Sequence, residues 1–268
     1  MVDGHESDDA AADIDDWDSH WQAFGIALEN NPARRYRSRL IIGLLGQLPQ
    51  GSCVVDIGSG QGELALEIEA ANPGVEVLGL EYSDEGVRRG RELAAAAGSS
   101  ARFLQQDLLG AVDLEALGAE RSAARAATCS EVLEHVDDPV RLLRNAAAYL
   151  QPGCRLVVTV PGGPMSAFDR SIGHRRHYDP AALSALLDEA GYDVERSTRA
   201  GFPFFNLYRL AVIAQGRGLA DVAKGAVAPE AVPARQRLAE TVFNALFRLN
   251  LSRGPVGWQI VAVATRRP

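Results

Sequence analysis

Residues 54–63 read VVDIGSGQGE. An apolar run of strand length, Cys53 to Ile57, ends against glycines at 58, 60 and 62. Few features restrict a fold as much. The chain must leave a buried strand, turn sharply and enter a helix with its main chain bare. Glycine permits the left-handed dihedrals of such a turn and lets a ligand touch backbone N–H groups. Strand, glycine turn and helix make a general nucleotide-binding device, and the spacing narrows the ligand. A dinucleotide fingerprint needs its third small residue at 63. That position is Glu63, and the third glycine is Gly62. A pyrophosphate beside Glu63 would also meet like charge.

Further along, apolar runs of strand length alternate with longer helical patterns, which predicts βαβ units and a mainly parallel sheet. Strands are expected at about 53–57, 75–80, 101–105, 126–130, 155–160, 192–197 and 259–265. Helices are expected at about 62–71 and 84–97, and after Asp138-Pro139 and Asp179-Pro180, where the acid caps and the proline fills the first turn. Val140, Leu143 and Ala147 mark the buried stripe expected of the third helix, and Leu183, Leu186 and Leu187 that of the fourth. Residues 17–48 read as helical with a break at Asn31-Pro32. The stretch from 201 to 257 is too long for a plain loop and should carry helices of its own. The chain thus divides into a tail (1–16), an N-terminal helical segment (17–48), an α/β core (49–200), an insert (201–257) and a final strand (258–268).

Charge is uneven along these segments. The 268 residues carry a formal net charge of −8. Asp3, Glu6, Asp8, Asp9, Asp13, Asp15, Asp16 and Asp18 match that charge, with no Lys or Arg among them. The first 16 residues therefore read as a solvated, disordered acidic tail. The near-neutral remainder lacks the basic footprint that a phosphate backbone demands, so nucleic acid is not an expected partner. No apolar run reaches the roughly 18 residues of a membrane span, and the start is acidic, unlike a signal peptide; a cytoplasmic protein is the default expectation. Cys53, Cys129 and Cys154 are odd in number and set in or beside apolar runs, which suits buried free thiols.

Three more features fall at strand ends. Glu81 closes the second strand, where a carboxylate can accept from two ribose hydroxyls. Asp107 follows the third strand, where a carboxylate can meet an exocyclic amine. Residues 129–136, CSEVLEHV, follow the fourth. The carboxyl ends of strands form the ligand crevice of open α/β sheets.

In that order, VVDIGSGQGE, LGLEYS, LQQDLL and CSEVLEHVDDP resemble the class I S-adenosylmethionine (SAM) dependent methyltransferases. The nearest subgroup is the small-molecule type that includes ubiquinone-biosynthesis methyltransferases. The resemblance covers about residues 50–200 and the final strand. It implies an α/β, Rossmann-like, seven-stranded, mainly parallel sheet of order 3-2-1-4-5-7-6, the last strand antiparallel, with helices on both faces. It also implies SAM as cofactor and S-adenosylhomocysteine as product. By the same resemblance Asp56, Gly58, Ser59, Gly60 and Gly62 frame the methionine part of SAM. Glu81 holds the ribose with Tyr82 beside the adenine, which Gln106, Asp107 and Leu108 flank. Ser130 and Glu131 line the methionine side, and His135 matches the family's EHV position. Residues 17–48 would form a lid, with Arg35 and Tyr36 either closing over SAM or simply packing.

Methyl transfer from a sulfonium is an in-line displacement, so the enzyme chiefly supplies alignment and excludes water; a hydroxyl acceptor also needs a base. Asp169, His174 and His177 in the loop after strand five are the base candidates, His174 first, because histidine titrates near neutrality. Hydrogen bonding that fixes the loop is the competing role. His174 and His177, three apart, could in principle hold a metal with Asp169, but no metal is assigned. Arg170, Arg175 and Arg176 could meet an anionic acceptor or be plain solvated arginines. In the insert, Phe202, Phe205 and Tyr208 are expected to build a pocket for an apolar or aromatic acceptor. Core packing competes with that role, and the basic, greasy surface could instead touch lipid. The expectation is a methyltransferase acting on a small metabolite, such as one of secondary metabolism. The rival is a SAM-binding module that transfers no methyl group. Ser130-Glu131-Val132-Leu133 stands where amino-methylating nucleic-acid enzymes carry Asn/Asp-Pro-Pro-aromatic, which argues against that class.

Overall fold

The structure, a computed structural model, describes residues 17–18, 31–112, 123–215 and 241–268. The expectations for the acidic tail, for the 19–30 part of the N-terminal helical segment and for the 216–240 part of the insert lie outside the described residues. Seven strands form one sheet: β1 (Cys53–Ile57), β2 (Glu76–Glu81), β3 (Arg102–Gln105), β4 (Ala124–Ser130), β5 (Leu150–Pro161), β6 (Tyr192–Ala200) and β7 (Gln259–Arg266). Their order is β3-β2-β1-β4-β5-β7-β6. Strands β1 to β5 pair in parallel, while β7 runs antiparallel to both β5 and β6. This is the Rossmann-like sheet that the motifs imply. The strand order reverses between β1 and β4, so the crevice opens at their carboxyl ends.

The helices are α1 (Pro32–Leu45), α2 (Glu63–Ala71), α3 (Asp84–Ala97), α4 (Pro139–Ala146), α5 (Ala167–Ser171), α6 (Pro180–Glu189) and α7 (Phe204–Gln215). Local chemistry sets their starts. Asn31, Ser83, Asp138 and Asp179 each accept a first-turn N–H, and prolines fill the first position of α1, α4 and α6. Successive strand residues point to opposite faces. Val54 therefore packs with Ile41, Ile68 and Phe103, while Val55 packs with Leu78, Leu143 and Leu156 on the other side. Each such side chain contributes roughly 1.5–3 kcal/mol by leaving water. Cys129 and Cys154 are buried free thiols and Cys53 is half-buried.

Three sequence expectations shift. The buried stripe of α4 is Pro139, Leu142, Leu143 and Ala146, and Val140 and Ala147 are only half-buried. Pro139 at the first position is itself buried, and residues three, four and seven further on follow it to the core. Strand β5 begins at Leu150, five residues early, because Leu150 pairs with Ala124 across a register shift. Gly153 lies inside that strand at φ 79°. Strand β6 runs on to Ala200, since β7 offers it partners as far as Gln259. Among the described residues no helix is long and apolar enough to cross a membrane.

Candidate active site

The loop from β1 to α2 lies at the reversal of strand order. Gly58, Gly60 and Gly62 have φ of 68°, 55° and 87°, all left-handed. Gly58 N and Ser59 N donate to Leu80 O at 2.8 and 3.0 Å. Gly60 N donates to Glu81 Oε2 at 2.8 Å, and Ser83 N donates to Glu81 Oε1 at 3.0 Å. Glu81 therefore ties the glycine loop to the start of α3. The glycines also serve packing. A Cβ on Gly62 would lie 2.5 Å from the Phe103 ring, and one on Gly58 2.4 Å from Val132. Beneath the loop, Asp56 is 2% exposed and accepts from Thr128 Oγ1 at 2.6 Å. Burial pushes its carboxyl up to about 7, against the Thr128 hydrogen bond and helped by Glu81 and Glu63. A cationic ligand would relieve that state.

On the expected adenine side, Tyr82 is 54% exposed and Leu108 is buried. Asp107 Oδ1 accepts from Leu109 N at 2.8 Å. Gln106 Oε1 accepts from Tyr149 OH at 2.7 Å, so that side chain fastens the end of β3 to the 3-10 turn before β5.

After β4 the chain is strained and polar. Glu131 has φ 57°, a left-handed value for a non-glycine residue, of the kind that clusters at functional sites. Its Oε1 accepts from Gln259 Nε2 at 2.9 Å, and Arg37 of α1 approaches Oε2 at 3.6 Å. Ser130 Oγ and Thr159 Oγ1 share a hydrogen bond of 2.9 Å. Glu134 is fully buried, and neither of its oxygens has a hydrogen-bond partner among the described residues. Burial, then the charge of Glu131, pushes its carboxyl well above the usual carboxylate range. The His135 ring lies between Trp17 and His174, with centroids at 4.8 and 4.7 Å. Asp18 accepts from the Ser83 hydroxyl and from Glu85 N. Residues 17 and 18 thus make contacts at the end of β2 and after β4, on either side of β1.

The loop after β5 is tied to this segment. Arg175 N donates to Glu134 O at 2.8 Å and Tyr178 OH to Leu133 O at 2.9 Å. The result is one group, in which Glu134 and Asp169 are buried and Glu131, His135, His174 and His177 half-buried. His177 and His174 face each other, Nε2 to Nδ1, at 3.2 Å, and His177 Nδ1 donates to Gly163 O at 3.1 Å. Burial lowers His174 to about 4 and lowers His177 as well, with Asp169 and Glu131 pulling the other way. Asp169 is occupied. It accepts from Ser166 N and Oγ, both at 2.7 Å, and from Arg209 Nη2 at 2.8 Å. Burial would raise its carboxyl, but Arg209 and Ser166 outweigh that and hold it below the usual range. A carboxylate so stabilised takes up a proton poorly, so the geometry favours the imidazoles over Asp169 as bases. Arg176 donates to the carbonyls of Val136 and Asp137, Arg175 pairs with Asp137, and Arg170 reaches Ser166 O, so these arginines hold the loop together.

The insert packs on α1. Tyr36 and Phe205 are buried with Phe247, at centroid distances of 5.5 and 5.6 Å from Tyr36, and Tyr208 joins through Phe243 and Phe247 at 5.3 and 5.7 Å. Phe202 and Arg35 lie exposed, outside that cluster. Packing explains why: α1 carries Arg35 on its outer face, one position from the buried Tyr36. Sequence reasoning passed over Arg37, Glu134, Arg209 and Gln259. Of these only Glu134 sits in a quoted motif; the others reach the site from distant segments, with no local signal.

A family model described as a methyltransferase domain matches residues 29–224. Over 163 residues the chain is 29% identical to the ubiquinone biosynthesis O-methyltransferase of Xanthomonas axonopodis pv. citri (strain 306), covering 55% of this chain and 65% of that protein. Among solved structures it is similar to the [4+2]-cyclase SpnF, at a TM-score of 0.58 and 19% identity over 86% of this chain and 81% of that one. It is also similar to geranyl diphosphate C-methyltransferase from Streptomyces coelicolor A3(2), at a TM-score of 0.55 and 15% identity over 88% and 81%. At such identities the structural likeness concerns the fold alone.

Proposed function

The chain belongs to the methyltransferase-domain family, of the class I SAM-dependent type, and from that premise we propose that it methylates a small-molecule acceptor. The observation that carries this reading is the prepared cradle at the strand reversal: three left-handed glycines, with Gly60 N tied to Glu81 and buried Asp56 beneath the loop. Glu81 takes the ribose, the glycine loop and Asp56 take the amino-acid end, and Asp107 and Leu108 take the adenine. The acceptor's lone pair attacks the methyl carbon in line; the carbon–sulfur bond breaks, its electron pair stays on sulfur, and S-adenosylhomocysteine leaves. Alignment and exclusion of water supply most of the rate.

A hydroxyl acceptor must also lose a proton, and that falls to the His174–His177 pair, unprotonated at neutral pH. An imidazole lowered as far as that of His174 is a weak base, which suits an acidic phenol better than an aliphatic alcohol. The Xanthomonas relative's name, an O-methyltransferase, is consistent with such an acceptor. Release of S-adenosylhomocysteine from SAM, measured across a panel of phenols, amines and activated carbons, tests the proposal. Turnover with phenols supports it. SAM binding without turnover on any of them would favour a SAM-binding module instead.

A further inference from the structure

We propose that His174 Nδ1, His177 Nε2 and Asp169 hold a first-row divalent transition-metal ion. The inference rests on the methyl-transfer reading for its use alone: the imidazole pair would act on an acceptor oxygen through the ion rather than as bare bases. Four observations support it. The donors already converge, with His174 Nδ1 3.2 Å from His177 Nε2 and 4.0 Å from Asp169 Oδ1, and His177 Nε2 3.9 Å from Asp169 Oδ2. Nitrogens held about 2.0–2.1 Å from one ion lie roughly 3.3 Å apart at the tetrahedral angle, so the two rings need no rearrangement, while Asp169, whose Oδ2 is taken up by Ser166 N and Oγ, must turn Oδ1 toward them.

The tautomer is also set. Gly163 O can only accept, so His177 Nδ1 carries the proton and Nε2 presents its lone pair, to which His174 Nδ1 donates in the ion-free chain; on ion binding His174 carries its proton on Nε2 instead. A ligating histidine whose other nitrogen donates to a backbone carbonyl is how such ligands are oriented. Third, the donors are sheltered: side-chain exposures are 8%, 6% and 0% for His174, His177 and Asp169. Fourth, further carboxyl oxygens surround the donors. Glu131, Glu134 and Asp169 face Arg37 and Arg209, and Glu134, fully buried without a hydrogen-bond partner among the described residues, brings an oxygen within 4.8 Å of a ring nitrogen of His174.

Arg209 does not displace the ion. It takes Asp169 Oδ1 from the α7 side, and a carboxylate oxygen keeps a second lone pair. Two imidazoles and a carboxylate select zinc, cobalt, iron or manganese over Mg²⁺, and three protein donors leave a position for water or an acceptor oxygen.

The test is Co²⁺ titration of the full-length, tag-free, chelator-stripped chain, followed by the visible d–d bands and by metal analysis. One ion per chain is expected. His174→Ala and His177→Ala should each weaken binding at least about tenfold, with SAM affinity unchanged by calorimetry and circular dichroism confirming the fold. No stoichiometric Co²⁺, or equal affinity in both histidine variants, overturns the site. So does loss of binding in Glu134→Gln with retention in His177→Ala, which would place the ion on Glu134, His135 and His174 instead. Co²⁺ binding in a chain that fails to bind SAM would count against the methyltransferase reading and leave the cation site standing.

Discussion

In the proposed site Glu81 does two jobs with one carboxylate, and its replacement should show both. Glu81→Ala removes the ribose acceptor and also frees Gly60 N and Ser83 N from their partner. SAM affinity should fall by about 1–3 kcal/mol in titration calorimetry. An unchanged affinity would take Glu81 out of the site. Asp56 carries a pH signature. Its folded pKa is raised from 3.8 to about 7, so the folded chain keeps a proton that the unfolded chain has lost. The associated stability is present below the unfolded value and is lost as pH rises through the folded one. Asp56→Asn should therefore gain stability relative to the parent as pH climbs from about 4 to about 7, in thermal melts without ligand. The parent's affinity for cationic SAM should rise as pH passes 7, where the carboxylate forms; the Asn variant should lose that rise. Parallel melting curves at every pH would contradict the assignment.

At the scale of elements, α7 is fastened to the short helix α5 by the buried pair Arg209–Asp169. Cutting one member of a buried pair leaves the other charged and uncompensated, at about 3–5 kcal/mol. Arg209→Ala should destabilise the chain by that order in urea at neutral pH. Asp169 is depressed below its ordinary pKa, so its contribution is present above the unfolded value and lost as pH falls through the folded one. The gap between variant and parent should then close in acid. A gap independent of pH would mean that Arg209 acts by packing.

Over the whole molecule, the proposed cofactor side and the proposed acceptor side are built by different means. The cofactor side is local: a strand end, a turn and a helix start, each written in a few consecutive residues. The acceptor side joins the segments after β4 and β5 to α1, α7 and β7. Residues 17 and 18 close across both, through Asp18 at Ser83 and Trp17 at His135. Trp17→Ala should speed SAM dissociation, read by stopped-flow fluorescence or calorimetric competition, with little change in the melting temperature of the ligand-free chain. A slower or unaltered release would exclude that segment as a lid.

The sheet was legible in advance because alternating apolar runs and acid-proline caps are short-range signals, and β1, α3 and α6 fall within a residue or so of where those signals place them. The buried face of α4 was misphased because nothing in its sequence says that Pro139 is itself covered. Arg37, Arg209 and Gln259 were invisible for a related reason: an ion pair between distant segments leaves no pattern in either one. Phe202, Phe205 and Tyr208 show the limit most plainly, since three aromatic residues within seven positions divide between surface and core. Sequence by itself determined the parallel sheet, the glycine cradle and the family, since each depends on backbone dihedrals and periodicities that neighbouring residues impose. Only the tertiary structure decided that Glu131, Glu134, His135, Asp169, His174 and His177 share one site, because their nearness is set by how two loops pack, and packing is a property of contacts between segments.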